Sequence, residues 1–146
     1  MTCVAWDGKT LAADKLGVYG NVKNTLTKIY RMPGGELVGV AGDICFCMSL
    51  IEWVKGGRVP ADFPEHGRDK DDWQPLLVIE LDGTTSLYER TPYPIRSEQR
   101  CLAYGSGKEY AMAAMHLGKT AREAIEVAIA LDIGCGIGID TLELGA

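Results

Sequence analysis

The chain opens with MTCVAWDGKTLAAD, residues 1–14, and this stretch predicts a β-hairpin. Its two strands are the short apolar runs Val4–Trp6 and 10–13. Asp7-Gly8 lies between them, and this dipeptide supplies the positive φ angles that a tight type I′ turn needs. An antiparallel sheet is therefore expected as the first element of the fold.

The rest of the chain alternates between further hairpins and helical segments, as its glycines and apolar periods indicate. Predicted strands occupy residues 27–32, 36–41, 76–81, 86–89, 101–104 and 137–144. Predicted helices occupy residues 43–54, 108–116 and 120–131. Residues 56–74 are dense in Gly, Pro and charge, and we expect a long loop there. This order favours one α+β domain spanning residues 1–146, with stacked sheets and helices outside.

Two of the predicted helices carry start signals and apolar stripes. Asp43 is expected at the N-cap or in the first turn of the first helix. The apolar face of that helix is expected to comprise Ile44, Met48, Leu50 and Ile51. Thr120, followed by Glu123, forms a capping box at the start of the third helix. The apolar face of the third helix is expected to comprise Ile125, Val127, Ala128 and Leu131.

Composition and charge exclude several classes of protein. The net charge of -5 gives no electrostatic footprint for nucleic acid. No run approaches the roughly 20 apolar residues of a membrane span, and Met1 is not followed by a signal region. The five cysteines form no C-x-x-C pair, and the glycine clusters match no nucleotide-binding loop. We therefore expect a cytoplasmic protein without metal or cofactor.

Thr2 is the first candidate for chemistry. It is small enough for methionine aminopeptidase to remove Met1, which would leave a threonine with a free α-amine. Such a residue holds a nucleophile, its Oγ, beside a base, since the reference pKa of an α-amine is about 7.7–8.0. The pairing of a threonine hydroxyl with a terminal amine is an established way to activate a weak hydroxyl. Many chains begin Met-Thr, so this pattern indicates a catalytic threonine only in combination with further motifs.

Five short motifs follow in order along nearly the whole chain. They are Ala12-Ala13-Asp14, Thr27-Lys28-Ile29-Tyr30, Val38-Gly39-Val40-Ala41-Gly42, Gly105-Ser106-Gly107 and Asp132 with Cys135-Gly136. The set resembles proteasome β subunits and the bacterial peptidase HslV, which are N-terminal-nucleophile hydrolases. The resemblance implies a four-layer αββα sandwich. Residues 56–74 occupy the place of the second helix of the family's first helical layer. A sandwich that lacks this helix is therefore an alternative.

The resemblance also implies catalytic roles. Thr2 Oγ would attack the scissile carbonyl while the Thr2 amine accepts the hydroxyl proton. Lys28, buried beside the nucleophile, would hold the pKa of that amine down. Asp14 would pair with Lys28, because an unpaired buried charge is costly. The backbone N–H of Gly39 would stabilise the oxyanion.

The resemblance also implies that Ser106 and Asp132 would orient the Thr2 amine through hydrogen bonds. Cys135 departs from the family, which usually has serine there, so one hydrogen bond near the amine is expected to be weaker. Plainer interpretations remain open at this stage. Asp14 and Lys28 can be ordinary surface charges on strands, and Ser106 can be a helix N-cap.

The resemblance predicts a threonine-type peptidase that hydrolyses peptide bonds within a homo-oligomeric, ring-like assembly. Its substrates would be peptides or unfolded proteins, and any ATPase would be a separate chain because no Walker motif is present. A catalytically silent scaffold with the same fold is the alternative. An amidase acting on a small substrate would use the same centre and stays open as well.

Overall fold

The protein is described by a computed structural model that covers residues 2–65 and 76–146. Its strands are β1 (Val4–Trp6), β2 (Thr10–Asp14), β3 (Leu16–Tyr19), β4 (Val22–Thr25), β5 (Ile29–Arg31), β6 (Leu37–Val40), β7 (Leu76–Ile79), β8 (Thr85–Tyr88), β9 (Ile95–Ser97), β10 (Leu102–Tyr104) and β11 (Ile139–Glu143). Its helices are α1 (Ile44–Lys55), α2 (Lys108–His116) and α3 (Ala121–Leu131), with a short 3-10 turn at Pro60–Asp62.

The strands form two antiparallel sheets that stack face to face. The first sheet has the order β10-β1-β2-β11, and the second has the order β5-β6-β7-β8-β9. Helices α2 and α3 pack on the outer face of the first sheet, and α1 packs on the outer face of the second. The strands β3 and β4 form a separate hairpin. The result is the four-layer αββα arrangement, which confirms the predicted fold class.

Alternation along the strands explains why both sheets are buried on both faces. In β1, Ala5 faces the helices while Val4 and Trp6 face the second sheet. The core between the sheets consists of Val4, Trp6, Leu11, Ala13, Ile29, Leu37, Leu77 and Ile79. The opposite side of the first sheet meets small side chains of α2 and α3, which are Ala111, Ala114, Ala121, Ala124 and Ala128. Small residues at this contact let the two helices lie close to the strands.

The layer of α1 corrects one prediction. Asp43 is the N-cap, as predicted, and accepts hydrogen bonds from the N–H groups of the first turn. The buried face, however, comprises Cys47, Leu50, Ile51, Trp53 and Val54. Ile44 and Met48 are exposed, at 36% and 38%, because the helix turns its later positions toward the sheet. None of the helices in the described ranges is long and apolar enough to span a membrane.

The other predicted helices begin and end close to where we expected. The hydroxyl of Thr120 accepts a hydrogen bond from Glu123 N–H at the start of α3. Ile125 and Ala128 are buried, but Leu131 is 61% exposed, so its place on the apolar face was wrong. Residues 66–75 of the predicted loop lie outside the described residues, and the absence of a second helix in the α1 layer stays a prediction.

The structure contains three strands that the sequence did not predict, namely β3, β4 and β9. All four residues of β4 are exposed, and exposed strands lack the apolar alternation on which prediction depends. The first turn also differs from its prediction. Gly8 has a positive φ of 96°, but Asp7 instead accepts hydrogen bonds from the N–H groups of Lys9 and Thr10 through Oδ1. The turn is therefore centred one residue later than the Asp-Gly pattern indicated.

Candidate active site

Thr2 lies two residues before the start of β1 and is buried, with 4% of its surface exposed. Its carbonyl accepts a hydrogen bond from Gly107 N–H at 3.2 Å. Gly105 passes so close that a Cβ at that position would lie 2.0 Å from the Thr2 carbonyl oxygen, and its φ is 94°. A side chain cannot be accommodated there, so glycine at position 105 allows this turn to close over Thr2.

Ser106 and Asp132 form a chain of hydrogen bonds that ends at the Thr2 nitrogen. Thr2 N–H donates to Ser106 Oγ at 3.2 Å, and Ser106 Oγ donates to Asp132 Oδ2 at 2.6 Å. Gly134 N–H donates to the other oxygen of Asp132 at 3.0 Å. The hydrogen bond from Ser106, followed by the one from Gly134, holds the pKa of Asp132 below its usual range. Asp132 is therefore an anionic acceptor that orients the serine hydroxyl.

Ser106 is not a helix N-cap. The N-cap of α2 is Gly107, which has no side chain to bond the first turn. The serine hydroxyl is committed to Thr2 and Asp132 instead, so the N-cap interpretation was wrong. Thr2 and Ser106 are 104 positions apart in the sequence, and Ser106 and Asp132 are 26 apart, yet hydrogen bonds connect all three.

Cys135 joins this chain as a donor. Its Sγ lies 3.2 Å from Asp132 Oδ2, the same oxygen that accepts from Ser106. Burial, and then the hydrogen bond to Asp132, raise the pKa of the Cys135 thiol to about 12. The thiol therefore stays protonated near neutral pH and donates, although sulfur is a weaker donor than a hydroxyl oxygen.

Lys28 and Asp14 form a buried ion pair beneath the same segment. Lys28 Nζ lies 2.8 Å from Asp14 Oδ1, and the two side chains are 5% and 0% exposed. This burial rules out the interpretation of both as surface charges. Asp14 Oδ1 also accepts from Cys3 N–H at 2.9 Å, so the carboxylate touches the peptide bond that joins Thr2 to Cys3.

The second oxygen of Asp14 is held by backbone donors that sequence reasoning missed. Leu16 N–H and Gly136 N–H donate to Oδ2 at 3.2 and 3.1 Å. Backbone donors leave no signature in residue type, so no pattern in the sequence could have found them. With Lys28 and Cys3 they supply four donors to one buried carboxylate, as a buried charge requires.

Gly39 lies in the second sheet beside Lys28. It pairs with Ile29 in β5 and with Leu77 in β7, and the next amide, that of Val40, donates to the Lys28 carbonyl at 2.9 Å. A Cβ on Gly39 would lie 2.7 Å from a methyl group of Val4 in the facing sheet, so glycine allows the two sheets to approach here. Its role as an oxyanion donor stays a prediction.

The described residues hold no cluster of three or more metal-ligating side chains. The candidate site is a buried threonine backbone between two polar groups. One is the Ser106–Asp132 chain at the Thr2 nitrogen, and the other is the Lys28–Asp14 ion pair at the Cys3 nitrogen. Two different carboxylates, Asp132 and Asp14, thus hold the backbone of residues 2 and 3 from two directions.

Comparison with known proteins gives matches among solved structures. No family model matches the sequence, and no curated protein matches it either. The chain is similar to Thiobacillus denitrificans BPH, with a TM-score of 0.69 and 19% identity over 99% of both chains. It is also similar to the same protein in complex with epoxomicin, with a TM-score of 0.70. Eukaryotic HslV from Trypanosoma brucei matches with a TM-score of 0.71 and 20% identity over 97% of both chains.

These matches, together with the four layers and the order of the strands, define the class of the fold as that of the N-terminal-nucleophile hydrolases. Within that class, the chain has the fold shared by HslV and proteasome-related proteins. The fold predicted from the sequence motifs is thereby confirmed. At about one fifth identity, this likeness shows the fold.

Proposed function

We propose that this protein is a threonine-type peptidase whose nucleophile is Thr2 after removal of Met1. One observation carries the proposal: two polar groups meet the backbone of residues 2 and 3 from different parts of the chain. Ser106, backed by Asp132, accepts from Thr2 N–H, and Asp14, backed by Lys28, accepts from Cys3 N–H. A scaffold without turnover has no need to bury a lysine and an aspartate at this position.

The proposed reaction begins with the free amine of Thr2. The amine takes the proton of Thr2 Oγ, directly or through a water molecule, and Oγ attacks the carbonyl carbon of the substrate. The positive charge of Lys28 lowers the pKa of the amine, so that a larger fraction is unprotonated near neutral pH. Gly39 N–H stabilises the oxyanion, a type of contact worth about 2.7–4 kcal/mol in another hydrolase. The amine then returns the proton to the leaving group.

A second proton transfer completes the cycle. Water attacks the acyl-enzyme, with the Thr2 amine as general base, and the threonine is released. Throughout, Ser106 and Asp132 hold the amine in the direction of the hydroxyl. In the chain with Met1 attached, the Thr2 nitrogen is an amide and cannot take a proton. Removal of Met1 is therefore the step that activates the enzyme in this proposal.

We further propose that peptides or unfolded proteins are the substrates, and that the cytoplasmic enzyme works as a homo-oligomeric ring. The likeness to HslV supports an assembly of identical chains, and a separate ATPase would supply unfolded substrate. Blue native electrophoresis and light scattering of the purified chain measure the assembly directly. A strictly monomeric chain with full peptidase activity would contradict this part of the proposal.

Intact-mass spectrometry tests the nucleophile. The mature chain is expected to lack the mass of Met1 and to gain the mass of one epoxomicin molecule, the compound bound by the Thiobacillus protein. Thr2→Ala is expected to abolish both labelling and the hydrolysis of a fluorogenic peptide. Thr91→Ala, at an exposed threonine far along the chain, is the matched control and is expected to keep both.

The same experiment separates the alternatives. A chain that retains Met1, takes no label and hydrolyses no peptide is a scaffold. A chain that is labelled at Thr2 and cleaves small amides but no peptide longer than a few residues is an amidase. Full peptidase activity in Thr2→Ala would show that the nucleophile has been assigned to the wrong residue.

A further inference from the structure

Lys15 and Asp140 form an ion pair next to the Lys28–Asp14 ion pair, and the proposed reaction does not use it. The side chains of Lys15 and Asp140 are only 21% and 33% exposed. Lys15 Nζ also lies 3.5 Å from Thr27 Oγ1, the residue before Lys28. One lysine thus touches the segments on both sides of the site.

The backbone of Lys15 makes a second connection to the same region. Its N–H donates to the carbonyls of Gly136 and Gly138, at 3.2 and 3.1 Å. Ile137 lies between these two carbonyls with a φ of 59°, a conformation that a β-branched residue adopts only under constraint. A Cβ on Gly138 would lie 3.6 Å from Lys15 Cδ, so the stem of the lysine runs along the segment of residues 135–138, which is named the crossing.

The strained crossing joins the two halves of the site. On one side of it, Cys135 Sγ and Cys135 N–H bond Asp132, at Oδ2 and at the carbonyl. On the other side, Gly136 N–H bonds Asp14. A shift of the crossing would move Asp132 relative to Ser106, and would remove a donor from Asp14.

We propose that Lys15 and Asp140 are positioning residues, which hold the crossing of residues 135–138 against β2 and so keep Asp132 in place for the Thr2 amine. This inference rests on the proposed function for its effect on turnover. Its effect on structure is independent of turnover. The ion pair touches no reacting atom, so it is expected to act on kcat more than on KM.

The test compares Lys15→Met, Asp140→Asn and the double variant with the wild-type chain. Lys119→Met is the control, because Lys119 pairs with Glu123 on the exposed surface of α3. We expect amide hydrogen exchange at residues 134–136 to become faster in all three variants and not in the control. We expect kcat to fall roughly ten- to a hundredfold, the range that a displacement of about 1 Å produces, with KM nearly unchanged. Lys15→Arg keeps the positive charge and is expected to retain most of the wild-type kcat that Lys15→Met loses.

Two results would overturn the inference. Exchange at residues 134–136 as slow as in the wild-type chain would show that the ion pair holds nothing, and this readout needs no activity. Wild-type kcat in the double variant, with a loss in the single variants, would mean that net charge rather than position was responsible. If the wild-type chain has no turnover at all, the proposed function fails, and the exchange measurement alone decides whether the ion pair positions the crossing.

Discussion

Replacement of Lys28 by methionine tests whether the buried ion pair is what the geometry indicates. Lys28→Met keeps a long apolar stem and removes only the charge, so the cavity is filled while Asp14 loses its cation. Asp14 is 0% exposed and cannot recover its interaction with water. The variant therefore isolates the cost of one unpaired buried carboxylate.

The magnitude follows from what remains around Asp14. Removing one partner of a buried ion pair costs about 3–5 kcal/mol in general. Three backbone donors, from Cys3, Leu16 and Gly136, stay on the carboxylate in the variant. They place the expected loss at the lower end, about 3 kcal/mol. For a domain of this size that corresponds to a fall in Tm of roughly 6–12 °C.

Urea unfolding followed by tryptophan fluorescence measures the free energy of unfolding, because Trp6 and Trp53 are both buried. Lys55→Met is the matched control, since Lys55 pairs with Glu52 on the surface at 44% and 71% exposure. The control is expected to lose less than about 0.5 kcal/mol. Equal losses in Lys28→Met and Lys55→Met would refute the reasoning, because burial would then make no difference to the pair.

Three further predictions concern single positions. Thr85→Val is expected to raise the free energy of unfolding by about 1–2 kcal/mol in urea titrations, because Thr85 Oγ1 is buried without a hydrogen-bond partner among the described residues. A loss of stability would contradict this. Gly105→Ala is expected to lower the free energy of unfolding by at least about 2 kcal/mol, because the added Cβ meets the Thr2 carbonyl and the φ of this residue is strained for alanine. An unchanged Tm would contradict the close approach. Ser106→Ala is expected to raise the pKa of Asp132 back toward its usual range, which NMR titration of the carboxyl carbon measures. Because the folded pKa is depressed, Asp132 stabilises the fold above the unfolded pKa, and this contribution is lost as the pH falls through the folded pKa. In Ser106→Ala the folded pKa lies closer to the unfolded pKa, so the contribution of Asp132 is smaller and its loss is complete at a higher pH. An unchanged titration would contradict the assigned cause.

The fold was predictable where local chemistry marks element ends. Asp43 and Thr120 cap α1 and α3 in the structure as in the sequence, because a side-chain oxygen that bonds the first turn acts within three residues. The faces of the same helices were less predictable. Ile44 and Leu131 fit an apolar stripe by spacing, but the direction from which the sheet approaches decides which residues are buried.

The candidate site was predictable from motifs as a set of residues, but not as a geometry. Asp14 and Lys28 could have been surface charges on two strands, and Ser106 could have been a helix cap. Their hydrogen bonds show that Asp14 and Ser106 contact residues 3 and 2 instead, and that Lys28 is paired with Asp14. Backbone donors such as Gly136 N–H do not depend on residue type, so the sequence could not predict them.

By itself, the sequence determined the class of the fold, the places where most elements begin and end, and the short list of residues with chemistry. Those features depend on interactions within a few residues, which spacing and residue type record. Only the tertiary structure decided that a buried aspartate, paired with Lys28, and a distant serine meet the backbone of residues 2 and 3 from different parts of the chain. The physical reason is that burial and contact between residues 11 to 104 positions apart depend on how the sheets stack, and no local pattern encodes that arrangement.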